Sequence, residues 1–219
     1  MGTYPVFKKH KKGVRIMRAR DKMILESLRK FRCLSRDDIR EMHFSELKNS
    51  IQACNTVMKR LTRDQYVEVN TESRPYIYFP SPSPLKKDSQ KIKHYQAIAN
   101  FFLELNKWDK PLVFDVEVKF EKGMCEPDIF MIWRNQPFFV EIQRSIYSPK
   151  MMNEKMDRYH LYYSKGQWKY EWWQNKEPIF PIVWIVTEMQ YALSYPFQII
   201  QSKTVMEKKG QIEVNFSLL

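Results

Sequence analysis

The stretch PDIFMIWRNQPFFVEIQ, residues 127–143, decides how the chain is read. Two apolar runs flank Asn135-Gln136-Pro137, a turn signal, so Pro127 to Trp133 and Phe138 to Arg144 are expected as neighbouring strands. Phe138, Phe139, Val140 and Ile142 mark the second run as a central strand. Asp128 opens the first strand. Glu141 and Gln143 sit in the other, and their two-residue spacing puts them on one side. A carboxylate in a covered sheet is expensive unless it has a partner, so these acids are expected to be paired or to hold a cation.

Working outward from there, Leu112 to Phe120 alternates. Phe114, Val116, Val118 and Phe120 point one way, and Asp115, Glu117 and Lys119 the other, which predicts a strand with Glu117 at its middle. Lys122-Gly123 then turns the chain. Upstream, residues 88–107 form an amphipathic helix with Ile92, Tyr95, Ile98, Ala99, Phe102 and Leu105 inside. Downstream come a helix near 150–163, a buried strand at Ile182 to Val186, a helix near 195–207 and a last strand from Gln211 to Ser217. The order is α-β-β-β-α-β with an α-β extension. Glu117, Asp128 and Glu141 converging at strand ends suit one Mg²⁺ or Mn²⁺, with Glu126 a substitute for Glu117. Such an ion polarises a phosphoryl oxygen and activates water. Alternation within Gln167 to Trp173 favours a strand or hairpin whose rings pack on the core or stack on bases. His160 has no companions and makes no metal site.

The front of the chain is organised differently. Ile24, Leu28 and Phe31 form a helical stripe. Leu34 to Ile39 reads as a second helix start, with Ser35 as cap, Asp38 three residues on, and Leu34 and Ile39 spaced as a hydrophobic staple. A third helix is expected over 48–63, with Ile51, Cys54, Met58 and Leu61 buried. Its other face carries Lys48, Asn49, Gln52, Asn55, Thr56, Lys59 and Arg63, groups that bond base edges and phosphates. Tyr66 to Val69 and Tyr76 to Phe79 read as strands around a polar tip that contains Arg74. Pro80-Ser81-Pro82-Ser83-Pro84 continues neither helix nor central strand. The expected division is a basic arm at 1–19, a domain at 20–80, a linker at 81–87 and a domain at 88–219.

Charge follows this division. Residues 1–87 carry 20 Lys and Arg against 9 Asp and Glu, a net of +11, while the rest is nearly neutral at +1. The asymmetry points to a polyanion partner for the front half. Three cysteines, Cys33, Cys54 and Cys125, have no paired spacing and fit a reducing cytoplasm without a zinc site. No apolar run approaches the roughly 18 residues of a membrane span. The basic N-terminus lacks the apolar stretch of a secretory signal.

Residues 20–80, three helices and then a hairpin, resemble a winged helix-turn-helix domain. The resemblance implies that the third helix enters the major groove of DNA while Arg74 and the wing touch backbone. Residues 88–190 resemble the PD-(D/E)XK nuclease superfamily, an α/β fold. The family's acidic pair falls on Pro127-Asp128 and Glu141, and its additional acid on Glu117. Gln143 departs from the usual lysine, and Lys155 on the following helix is the expected replacement. Together with the step Lys155-Met156-Asp157-Arg158-Tyr159, the order resembles the replication-relaxation family, which includes mobilisation relaxases. That resemblance implies a metal-dependent endonuclease or nickase acting on double-stranded DNA, alongside other replication or mobilisation proteins. Asp128 and Glu141 would ligate Mg²⁺ or Mn²⁺, and Glu117 would be a third ligand or water-orienting base. Gln143 and Lys155 would position the phosphate, and Tyr159 would contact the strand. The rival expectation is an inactive DNA-binding regulator on a nuclease-like scaffold. Homodimerisation is left open.

Overall fold

Capping at Ser35 sets the geometry of the front half. In the computed structural model, which describes residues 17–120 and 122–208, helix α1 (Ala19–Phe31) is followed by α2 (Arg36–Phe44). Ser35 Oγ accepts from the Asp38 amide at 3.1 Å, and Asp38 Oδ2 accepts from the Ser35 amide at 2.8 Å. This capping box satisfies two otherwise orphaned donors. Leu34 and Ile39 are both fully buried, as a staple requires. Leu34–Ser35 is also a short strand, β1, a second role the sequence reading did not include.

Helix α3 (Ser50–Arg63) buries Cys54, Met58 and Leu61. Ile51, expected inside, is 48% exposed in the first turn of the helix. Arg60 on α3 grips Asp21 on α1 through two hydrogen bonds of 2.7 and 3.0 Å, tying the two helices together. Strands β2 (Val67–Asn70) and β3 (Ile77–Pro80) complete an antiparallel sheet of order β1-β3-β2.

The proline-rich segment links two sheets that share a core. Helix α4 (Ile92–Trp108) packs against α1 and α2, and Phe31 meets Phe102 at 5.3 Å and Phe114 at 6.0 Å between ring centroids. One hydrophobic cluster runs from Ile24 and Ile39 through Ile98 to Val140 and Trp184.

The second sheet comprises β4 (Val113–Val116), β5 (Ile129–Trp133), β6 (Gln136–Ile142), β7 (Ile182–Val186) and β8 (Ile199–Ser202), in that order. The first three strands form an antiparallel meander, and β6, β7 and β8 run parallel. Helix α5 (Pro149–Lys165) lies between β6 and β7 in the chain. Alternation splits the strands between two helices. Ile129, Met131, Phe138 and Val140 join the cluster of α4, whereas Phe130 and Phe139 join that of α5 with Met152, Met156, Tyr159 and Tyr162. The chain is therefore mixed α/β: front helices with a small antiparallel sheet, then a five-stranded mixed sheet with helices.

Several expected elements differ. Strand β4 stops at Val116 because Glu117 adopts a left-handed backbone, φ 55°, so Glu117 is not mid-strand. The hairpin turns at Arg134-Asn135, both at positive φ, the backbone of a two-residue turn that matches strand twist. Gln136 and Pro137 belong to β6 instead. Gln167–Tyr170 is a 3₁₀ turn rather than a strand. The helix expected at 195–207 is replaced by β8 and a 3₁₀ turn at Met206–Lys208. Residues 1–16 of the basic arm and the strand expected at Gln211 to Ser217 lie outside the described residues. Among those described, no helix is long and apolar enough to cross a membrane.

Candidate functional site

Register brings the two central acids together. Ile129 pairs with Val140 and Phe130 with Phe139, so one further step sets Asp128, just before β5, opposite Glu141 near the end of β6. Directly opposed residues share a face, and this one is the face covered by α5. Asp128 Oδ2 accepts the Ile142 amide at 2.7 Å, which fixes the carboxylate beside Glu141.

Helix α5 supplies the rest of the cluster. Ser148 caps its N-terminus and Pro149 occupies its first turn, so the helix starts just after the loop that leaves β6. Lys155 and Tyr159, one turn apart, both reach Glu141. Tyr159 donates to Glu141 Oε1 at 2.5 Å. Lys155 Nζ lies 2.5 Å from Oε2 in an ion pair, and Oε2 accepts no aligned hydrogen bond. Glu141 is 2% exposed. Burial pushes its carboxyl up to about 7, with the Lys155 ammonium opposing the rise and the Asp128 charge adding to it. Burial works against the Lys155 cation, but the Glu141 charge in its close contact and the Asp128 charge together outweigh it and hold the ammonium above its usual range. Tyr159 is raised further still, chiefly by burial, so it remains a phenol that donates.

His94, which sequence reasoning passed over, completes the Asp128 environment. Its Nε2 lies 3.0 Å from Asp128 Oδ1. The helical stripe assigns Tyr95 to the core, and the adjacent His94 carries no periodic signal; only the tertiary fold brings the α4 N-terminal turn to the head of β5. The histidine that the sequence did single out, His160, is exposed and lies near Tyr195.

Glu117 stands close in the backbone but turns elsewhere with its side chain. Its amide donates to the Asp128 carbonyl at 2.8 Å. Its carboxylate accepts from the Tyr95 hydroxyl at 2.5 Å and faces Arg32 at 3.6 Å. Among the described residues, no three His, Cys, Asp or Glu side chains gather as a metal-binding group. The expected three-carboxylate centre is therefore replaced by a pair, Asp128 and Glu141, because the left-handed residue takes Glu117 out of strand alternation. Glu126 is exposed and does not substitute. A non-glycine residue in this conformation costs roughly 1–3 kcal/mol, a cost that tends to be retained near functional sites.

Gln143 is also redirected. Its amide donates to the Ser145 carbonyl at 2.9 Å and to the Tyr191 hydroxyl at 2.8 Å. Tyr191 in turn accepts the Tyr147 amide at 3.0 Å. Gln143 thus clamps the loop entering α5 rather than pointing a donor at a substrate. Among the described residues, Lys155 is the Lys or Arg that pairs with Glu141.

The pair offers hard carboxylate oxygen donors, of which Glu141 Oε2 is engaged by the Lys155 ammonium at 2.5 Å. Those are the ligands that Mg²⁺ and Mn²⁺ prefer, with water completing the shell.

A second candidate surface lies on the front half. Lys48, Asn49, Gln52, Asn55, Thr56, Lys59 and Arg63 are all exposed on or just ahead of α3. Between α3 and the β2-β3 hairpin runs a groove of about 730 Å³, lined by Arg36, Asn55, Lys59, Arg63, Arg74 and Tyr76 among others and, among the described residues, by no acid. Arg74 stacks over the Tyr76 ring at 4.5 Å and donates to the Thr71 and Ser73 carbonyls, which holds its charge at the hairpin tip. Cys54 is buried on the inner face of α3, and burial pushes its thiol up to about 11, an inert core residue. Comparison of the chain with models of protein families, with curated proteins and with solved structures gave no match.

Proposed function

We propose that this chain is a DNA-binding protein that cuts the phosphodiester backbone by metal-dependent hydrolysis, as a nickase or endonuclease of a replicating or mobile element. The observation that carries the reading is the meeting of Asp128, Glu141 and Lys155 at one end of a meander that continues into parallel strands. In this reading the front half is a winged helix and the back half a PD-(D/E)XK-like domain.

Asp128 and Glu141 would hold Mg²⁺ or Mn²⁺, which supplies electrophilic activation of the phosphoryl group and of water. Lys155 would leave its ion pair with Glu141 to meet the incoming phosphate, exchanging one anion for another. Tyr159 orients Glu141, and His94 orients Asp128. Tyr159, 1% exposed, serves as a hydrogen-bond donor inside the site rather than as a strand contact. The face of α3 and the basic groove beside it would take duplex DNA, with Asn55 and Lys59 at bases or phosphates and Arg74 on the backbone.

Supercoiled plasmid incubated with Mg²⁺ or Mn²⁺ tests this. Wild type is expected to nick, while Asp128→Ala and Glu141→Gln lose nicking yet retard the same DNA. The second reading is a non-cutting DNA-binding regulator. The Lys155–Glu141 ion pair favours it, since an ammonium already neutralises the buried acid. Plasmid left intact by a wild type that still retards it would establish that reading instead.

A further inference from the structure

We infer that the aromatic cleft on the α5 side of the second sheet, the face that also carries Asp128 and Glu141, is a stacking site for a single-stranded DNA segment. The cleft, about 610 Å³, is lined by Lys119, Phe120, Tyr162, Tyr170, Trp172 and Trp173, among others. Its floor is core: Trp173 packs on Phe130 at 4.4 Å, and Phe120 on Tyr162 at 4.9 Å between centroids. Its rim is not. Tyr170 is 91% exposed and Trp172 66% exposed, large rings left in water at the end of a 3₁₀ turn. Trp172 stands edge-on to Trp173, 5.9 Å and 85° apart, and to Phe130, 6.1 Å and 79°, so among the described residues no ring stacks on its face.

Position supplies the second argument. Phe130 lies two residues along the chain from Asp128 and shares its face, a separation of about 7 Å, or roughly two stacked nucleotide steps. Trp172 stands a further 6.1 Å from Phe130 between ring centroids, so a strand whose phosphate reached Asp128 and Glu141 would have a base a few nucleotides away within reach of these rings. Charge fits the same occupant. Exposed Lys119 lines the cleft, and Glu171, the acid in its lining among the described residues, accepts from the Tyr162 hydroxyl at 3.0 Å. Exposed rings beside lysines bind single strands with little sequence preference, because every base has a π face. A duplex keeps its bases stacked inside and cannot use them.

The inference rests on the proposed hydrolytic site for the strand's path, and its test is separable from cutting. Fluorescence anisotropy in EDTA compares a labelled thymidine 20-mer with a duplex of equal length, using the full chain. Tyr170→Ala/Trp172→Ala is expected to weaken single-strand binding at least about tenfold and leave duplex binding within twofold. Tyr170→Phe/Trp172→Phe, which keeps the rings, should retain most of the affinity. Unchanged single-strand affinity in the alanine variant would overturn the inference. So would a change confined to oligomeric state in gel filtration, which would make the rings a contact between copies. Single-strand binding lost on substitution in a protein that never nicks plasmid would leave this site standing and remove the hydrolytic reading.

Discussion

Replacing Lys155 with methionine should destabilise the protein only where Glu141 is ionised. Glu141 is 2% exposed and titrates at about 7 with Lys155 beside it. Below pH 7 the acid is neutral in wild type and variant alike, so little electrostatic support is lost when the ammonium goes. Above pH 7 wild type ionises Glu141 against Lys155, whereas the variant must keep it protonated. A carboxyl whose pKa is raised by folding loses stability as pH rises from its unfolded value to its folded one. In the variant that loss continues beyond 7 at about 1.4 kcal/mol per pH unit. Between pH 6 and pH 8.5 the deficit of Lys155→Met relative to wild type should therefore grow by about 2 kcal/mol. Urea unfolding followed by circular dichroism in EDTA at the two pH values measures it. Adding Glu141→Gln should abolish the pH dependence, because the buried group no longer ionises. A deficit equal at both pH values would refute the reasoning and assign Lys155 to packing alone.

Other expectations follow from the same contacts. Arg60→Met leaves Asp21, whose side chain is 3% exposed, without its bidentate partner and should cost about 3–5 kcal/mol in urea unfolding. Ser35→Ala removes one half of the capping box and should cost about 1 kcal/mol by the same assay. Lys59→Ala should lower the slope of log affinity against log salt for duplex DNA by about 1, one phosphate contact, without changing unfolding. His43 is held down to about 4, chiefly by burial and then by Arg20, although Glu46 opposes this. A depressed histidine stabilises the fold above its unfolded value and loses that contribution as pH falls towards 4. Allowing for its partial exposure, His43→Gln should reduce the acid loss of stability between pH 6.5 and 4 by about 1–2 kcal/mol.

Local chemistry made the front half legible. Ser35, Asp38, Leu34 and Ile39 encode their helix start within six residues, and the structure shows each in the expected role. The meander was legible where apolar runs met, but its edges were not. Phe114, Val116, Val118 and Phe120 keep a period of two, yet the strand ends at Val116, since side-chain alternation does not report a left-handed residue at Glu117. Residues 195–207 were misread because Ile199 and Ile200 join a strand only through parallel pairing with β7, a contact no local window contains. The site divides the same way. Asp128 and Glu141 were readable because carboxylates in apolar strands demand a partner, and Lys155 and Tyr159 because one helical turn separates them. His94 and the redirection of Glu117 and Gln143 depended on which side chains the fold brings within hydrogen-bonding distance.

Binding of Mn²⁺ to the full chain, followed by electron paramagnetic resonance of the free ion, tests the central claim most directly. The account predicts one ion held per chain by wild type, with the affinity lost in both Asp128→Ala and Glu141→Gln while both variants remain folded. Saturable binding that survives both substitutions, or none in the wild type, would contradict it.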